Sequence, residues 1–194
     1  MESNVCKIKR GSVDLSPLLA ETEKVAKYNE LGGKKALALR LLAEELVSML
    51  PSIAENYDGE FWITTDGDSY ALCVEVSLDS MDALTRDRLI RVSKDNKNAA
   101  AVGISGKIRA VFDYMVMGGN DPMISPAGKY GFATNIDFSH IWSLKQYQAG
   151  VTADEAEKEK WDEFERSILV KLADDVEVGV KGKSVTITIK KTFE

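Results

Sequence analysis

The stretch EFWITTDGDSYALCVEVS (residues 60–77) decides how this chain folds. Two arms rich in β-branched and aromatic residues flank Asp66-Gly67-Asp68, a strong turn signal, and together they read as a β-hairpin. On the second arm Tyr70, Leu72, Val74 and Val76 alternate onto one face, so the hairpin needs a second layer to cover that face.

The segment just before it supplies the layer. KKALALRLLAEELVSML (residues 34–50) carries Leu39, Leu42, Leu46, Met49, Leu50 and Ile53 as an apolar stripe at helical spacing. Pro51 should end or kink this helix. Further upstream, VCKIKR (residues 5–10) fits a short first strand, and residues 14–31 place Leu15, Leu18, Leu19, Val25 and Leu31 at helical spacing before Gly32-Gly33 breaks the chain. Downstream, Asp82 is placed to cap a helix running to about Lys94. A further helix is expected after it, with Ile104, Ile108, Val111, Phe112 and Met115 on one side.

Residues 118–150 interrupt the periodicity. GGNDPMISPAGKYGF (residues 118–132) is dense in glycine and proline, which resist both helix and central strand. Yet the segment carries Met123, Ile124, Tyr130, Phe132, Ile136, Phe138 and Trp142, so it is expected to be a flap that buries Phe138 and Trp142 and has a mobile tip near Gly118-Gly119. Thr152-x-x-Glu155 reads as a capping box opening the next helix, with Trp161, Phe164, Ile168 and Leu172 as its apolar stripe. The chain closes on a second hairpin: Val176, Val178 and Val180, then Val185, Ile187 and Ile189, around Lys181-Gly182-Lys183. The order is strand, two helices, hairpin, two helices, flap, helix, hairpin. It implies a single α+β domain spanning residues 1–194: a two-layer sandwich with a mixed, mostly antiparallel sheet and helices on one face. The other face is left partly exposed or open to a second copy.

Composition removes several classes of function. The chain has 194 residues, is 44% hydrophobic and 29% charged, and carries a formal net charge of −6. That balance suits an ordinary globular domain and argues against binding nucleic acid through overall basicity. The locally basic RDRLIRVSK (residues 86–94) alternates with apolar residues and reads as a solvated helix face. There is no signal peptide and no apolar run long enough to span a bilayer, so a cytoplasmic protein with no membrane partner is expected. Cys6 and Cys73 lie far apart in strand-like runs and read as buried free thiols of a reducing compartment. The single histidine, His140, leaves no basis for a histidine metal site or a catalytic triad, and it is expected to pack beside Trp142.

NAAAVGISGKIRAVF (residues 98–112) suggests a phosphate loop but lacks its chemistry. A P-loop needs a glycine where Ala101 stands and a hydroxyl where Ile108 stands. What remains is Gly103, Gly106 and Lys107 at a helix N-terminus. Such an end either receives an anion through its free N–H groups or only starts a closely packed helix.

The element order resembles the ATP-binding domain of the GHKL superfamily, which includes histidine kinases and the anti-sigma-factor serine kinases. LRLLAEELVSML (residues 39–50) is similar to the helix that carries the family's N box, E-x-x-x-N. ILVKLADDVEVGVKGKSVTITIKK (residues 168–191) resembles the last helix and hairpin of the anti-sigma kinases, where a similar L-A-D-x-V leads into the final strands. The resemblance places Glu45 at the catalytic acid position and Asp79 at the adenine-recognising aspartate. It makes Gly103, Gly106 and Lys107 candidates for phosphate contacts, in competition with the turn before the helix expected at 152–172, and makes the flap a candidate lid.

The sequence also departs from the family. Met49 replaces the asparagine that helps to hold Mg²⁺, and a thioether is a poor ligand for a hard cation. Ser80 and Met81 follow Asp79 where a glycine is expected. Phosphoryl transfer leans on a metal, so these departures point away from an enzyme, and no metal ligands are assigned. The expected function is a degenerate GHKL-like regulatory domain, resembling an anti-sigma factor. It would bind a protein partner, with ATP or ADP as a candidate ligand and Mg²⁺ in doubt. Two alternatives stand beside it: an active ATP-dependent serine kinase, and an interaction domain of similar shape that binds no nucleotide.

Overall fold

The computed structural model describes residues 1–9, 15–50, 58–77, 142–151, 168–181 and 184–194. Asp79, Gly103, Gly106, Lys107, His140, Phe138, Ile53, the helices expected at 82–94 and 104–115 and most of the 118–150 flap lie outside these residues. The elements are β1 (Cys6–Lys9), α1 (Ser16–Tyr28), α2 (Gly33–Ser48), β2 (Asp58–Asp66), β3 (Ser69–Ser77), β4 (Trp142–Ser143), α3 (Leu144–Val151), α4 (Ile168–Leu172), β5 (Asp175–Lys181) and β6 (Ser184–Thr192).

The fold is α+β, built on an open six-stranded sheet in the order β1-β2-β3-β6-β5-β4. Both expected hairpins lie in it. In the β2–β3 hairpin Asp66 pairs with Ser69, and Gly67 takes a φ of +56° in the loop, a conformation that only glycine adopts freely. The hairpins meet along β3 and β6, where Ser69 pairs with Thr192 and Ser77 with Ser184. Every pairing among the described strands is antiparallel, which corrects the expected mixed sheet. The reason lies in the pair of helices between β1 and β2. One crossover helix would return the chain parallel to β1, whereas α1 and α2 reverse it twice. Arg40 on α2 meets Glu23 on α1 at 2.6 Å and Glu44 on its own helix at 3.1 Å, as neighbouring antiparallel helices require.

Alternation produces the core as the sequence implies. Phe61, Ile63, Leu72, Val74, Val176, Val178, Val185, Ile187 and Ile189 are buried from the strands, and Leu39, Leu42, Ala43 and Leu46 from α2. Each large apolar side chain buried in this way contributes on the order of 1.5–3 kcal/mol, so this shared core dominates the stability. On α4 the inward residue is Leu169, while Ile168 is 40% exposed. Ile168 thus leaves the stripe read from sequence, whereas Leu172 packs partly buried against the core; Trp161, Phe164 and the capping box at Thr152 and Glu155 lie outside the described residues.

The N-terminal segment is fixed by polar groups. Glu2 bridges Thr64, and Cys6 pairs with Phe61, so four steps on one strand oppose three on the other and a bulge falls between them. In that stretch Asn4 donates its backbone N–H (3.1 Å) and its side-chain amide (3.0 Å) to Oε1 of Glu21 on α1. Lys24 adds an ion pair at 3.0 Å. Burial pulls the Glu21 pKa upward, but these three donors outweigh it and hold the carboxyl below its ordinary range. Cys73 is buried and Cys6 only half-buried, a partial correction. Burial raises both thiol pKa values, with Glu21 adding to the effect at Cys6.

A larger difference concerns the end of the flap. Residues 142–151, read from sequence as loop, form β4 and α3. Ser143 stands at the N-cap of α3 with Gln146 three residues on, and its Oγ accepts from Gln146 N at 3.5 Å, a local signal that the reading of this segment as loop overlooks. The helix N-terminus is further satisfied by Asp175, which is 7% exposed. The carboxylate accepts from Ser143 Oγ at 3.0 and 3.1 Å, from Lys145 N at 3.1 Å and from Val176 N at 2.9 Å. A residue on β5 thus caps a helix remote in sequence.

Two predictions follow from these backbone details. Glu30 has a φ of +54° at the end of α1. Leu31 N donates to Ala26 O and Glu30 N to Lys27 O, the two bonds of a Schellman turn, so Glu30 occupies the position that glycine usually fills. Glu30→Gly should stabilise the protein by about 1 kcal/mol, read as a rise of about 2–4 °C in Tm. Asp175→Ala should act in the opposite direction. It leaves the Ser143 hydroxyl and two N–H groups without their acceptor and should cost about 3 kcal/mol in chemical denaturation. Hydrogen exchange at the first turn of α3 should accelerate in the same variant.

Candidate functional site

The orientation of α2 determines where a site could form. Near its start, Lys35 Nζ donates to the backbone carbonyl of Glu194. Glu194 follows β6, whose end pairs with the start of β3 through Thr192 and Ser69. The N-terminal end of α2 therefore lies at the Ser69–Thr192 end of the sheet. The helix has 16 residues and packs on β3 and β6; at 1.5 Å per residue it spans about 24 Å. Its last turns consequently lie toward the opposite end, where Ser77 pairs with Ser184 and Asp58 begins β2.

Glu45 is at this end. It is half-buried on the margin of the apolar stripe, and its backbone carbonyl accepts from Met49 N at 3.2 Å and Ser48 Oγ at 2.8 Å. Glu44 faces elsewhere and is engaged by Arg40 toward α1. Met49 is 5% exposed and belongs to the core. A buried thioether there fills space and offers no oxygen to a cation. Asp79 follows the last residue of β3 by two positions in sequence. The topology thus brings the turn of α2 that carries Glu45 and the strand end that leads to Asp79 to one end of the sheet. At that end Ser77 Oγ and Ser184 Oγ lie 3.5 Å apart, with Asp58 opposite Ser77 on β2.

Among the described residues, no group of three or more His, Cys, Asp or Glu side chains is placed to hold a metal ion. Nor is any described helix long and apolar enough to cross a membrane.

The sequence reading did not single out two polar features that the structure assembles. One is the Asp174–Asp175 pair inside the L-A-D-x-V motif. Asp174 binds Lys191 Nζ at 2.8 Å and Thr192 N at 2.6 Å, and Asp175 caps α3. Burial acts to raise the Asp174 pKa, but the bonds from Lys191 and Thr192 prevail and lower it. The doubled aspartate at a helix-to-strand junction was the available signal. The other feature is the outward sheet face, where Glu60 and Glu75 stand directly opposite each other. Alternation identifies both as outward-facing, but only the register makes them neighbours.

Comparison of the chain with protein-family models, with curated proteins and with solved structures returns no match.

Proposed function

We propose that this chain is a degenerate GHKL-like regulatory domain, resembling an anti-sigma factor, that binds a protein partner and holds a nucleotide, if at all, without Mg²⁺-dependent turnover. The fold is compatible with that reading: two hairpins share one sheet, α2 lies across it, and α2 and β3 end on the same side. The observation that carries the degenerate form is Met49, buried at the end of α2 where the resemblance requires an asparagine near Mg²⁺. In this proposal Glu45 keeps the position of the family acid but has no metal-bound phosphate to act with. Asp79 would accept from adenine, and Gly103, Gly106 and Lys107 would approach the phosphates.

Thermal unfolding with ATP or ADP, with and without Mg²⁺, tests this. A ligand bound only by the folded state stabilises it, by about 2.7 kcal/mol at a hundredfold excess over Kd. The expected result is no Mg²⁺-dependent rise in Tm. A rise that a chelator abolishes would mean that the metal site is intact and would favour the kinase. Met49→Asn supplies the converse test. A buried amide should lower the Tm of the free protein, at a cost of about 1–3 kcal/mol. In return it should introduce Mg²⁺-dependent stabilisation by ATP.

A further inference from the structure

The outward face of the sheet carries a charge that no other described residue balances. Reading across the register, Lys7 stands opposite Glu60, and Lys9 opposite Asp58. At the other end of the face Lys190 Nζ binds Glu177 Oε1 at 2.6 Å. Among the described residues Glu75 has no such counterpart. Its cross-strand neighbours are Glu60 on β2 and Thr186 on β6. Like charges directly opposite each other on neighbouring strands destabilise a sheet, so this arrangement works against the fold. Neither the Glu60 nor the Glu75 carboxylate makes an ion pair or hydrogen bond among the described residues.

The same patch presents an aromatic ring. Trp62 is half-exposed and stands opposite Cys73, diagonal to Glu75, within the reach of aromatic and long side chains. Around it lie Thr64, Thr186 and Thr188, all half-exposed. A half-exposed tryptophan beside an uncompensated carboxylate and hydroxyl groups suits a planar cation. A guanidinium can stack on the indole while its edge donates two hydrogen bonds to a carboxylate; an ammonium lacks that plane and fork.

We infer that the outward face of β2 and β3 docks an arginine-bearing segment of a protein partner, with the guanidinium held between Trp62 and the Glu60–Glu75 pair. A nucleic acid or another anionic surface is repelled by the same carboxylates. A second copy meeting this face to face would set Glu75 near its own equivalent. The inference takes from the proposed function only that the domain engages a protein, and it does not depend on the nucleotide site.

The test is an NMR titration of the isotopically labelled full chain with three synthetic octapeptides alternating threonine with arginine, lysine or glutamate. The arginine peptide should shift β2, β3 and β6 amides saturably and bind more tightly than the lysine peptide, and the glutamate peptide should not bind. Glu75→Gln and Trp62→Val should each weaken arginine-peptide binding by about threefold to tenfold. Glu75→Gln should also raise the Tm of the free protein, because it relieves Glu60. Equal binding of the arginine and lysine peptides, binding indifferent to Glu75→Gln, or a lowered Tm in that variant would overturn the inference. Absence of any titration shift in the folded protein would overturn it too, while leaving the nucleotide result to decide the proposed function separately.

Discussion

The pairing of β3 with β6 is the constraint on which the rest of the structure depends. It joins two hairpins from distant parts of the chain into one sheet, in a register running from Ser69–Thr192 to Ser77–Ser184. Side chains on a strand alternate with a period of two, so a slip of one residue would turn Ile187 and Ile189 outward and bring Thr186 and Thr188 into the core. Neither hairpin presents enough apolar surface alone to stand in water. Together they form the floor on which α2 lies, and Leu39, Leu42 and Leu46 close the core over Leu72, Val74 and Ile187.

Carboxylates secure what the apolar core does not reach. Glu21 holds the bulged N-terminal segment to α1, Asp174 ties the start of β5 to the end of β6, and Asp175 anchors β4 and α3 at the far edge of the sheet. Each accepts from backbone N–H groups that would otherwise lack a partner, and burying such groups unpaired is costly. Edge strands expose unpaired backbone, and this sheet has a short strand at each edge: β1 has 4 residues and β4 has 2. The bulge and the outward Lys7 and Lys9 on β1 further disfavour pairing with another chain.

The two faces of the sheet have different chemistry for one geometric reason. The inward face is covered by helices and carries almost only Val, Ile, Leu and Phe. The outward face carries mainly Thr, Ser, Glu, Asp and Lys, with Trp62, Ala71 and Cys73 among them and its charges arranged by register. At one end of the sheet, the last turns of α2 and the exit of β3 come together, and Glu45 stands beside a core methionine rather than an oxygen ligand. The proposed nucleotide site and the proposed docking face are therefore separate surfaces of one small domain, joined through β3.

Much of the fold was legible in the sequence because it is written in short periods. Alternation identified both hairpins and their inward residues. The 3.6-residue period identified α1 and α2; α2 ends at Ser48, and Pro51, expected to end or kink it, lies outside the described residues. The candidate site was legible only in part. The position of Glu45 on the margin of the α2 stripe followed from helical geometry, whereas Asp79, Gly103, Gly106 and Lys107 rest on the resemblance alone.

Other features were decided only by tertiary structure, because they depend on residues distant in sequence. Asp175, on the strand beside β4, adds to the local Ser143 cap at the start of α3, a partnership between residues 30 apart that no local pattern shows. Glu30 occupies a left-handed position because Leu31 must return to the core, and its side chain gives no sign of that. Leu169 rather than Ile168 faces the core, a rotation that the residues of α4 alone do not fix. Glu60 and Glu75 become neighbours only when β2 and β3 settle into register. Local pattern determines which elements form and which face of each is apolar; the order, register and polar anchors of those elements are set by contacts that exist only once the chain has closed on itself.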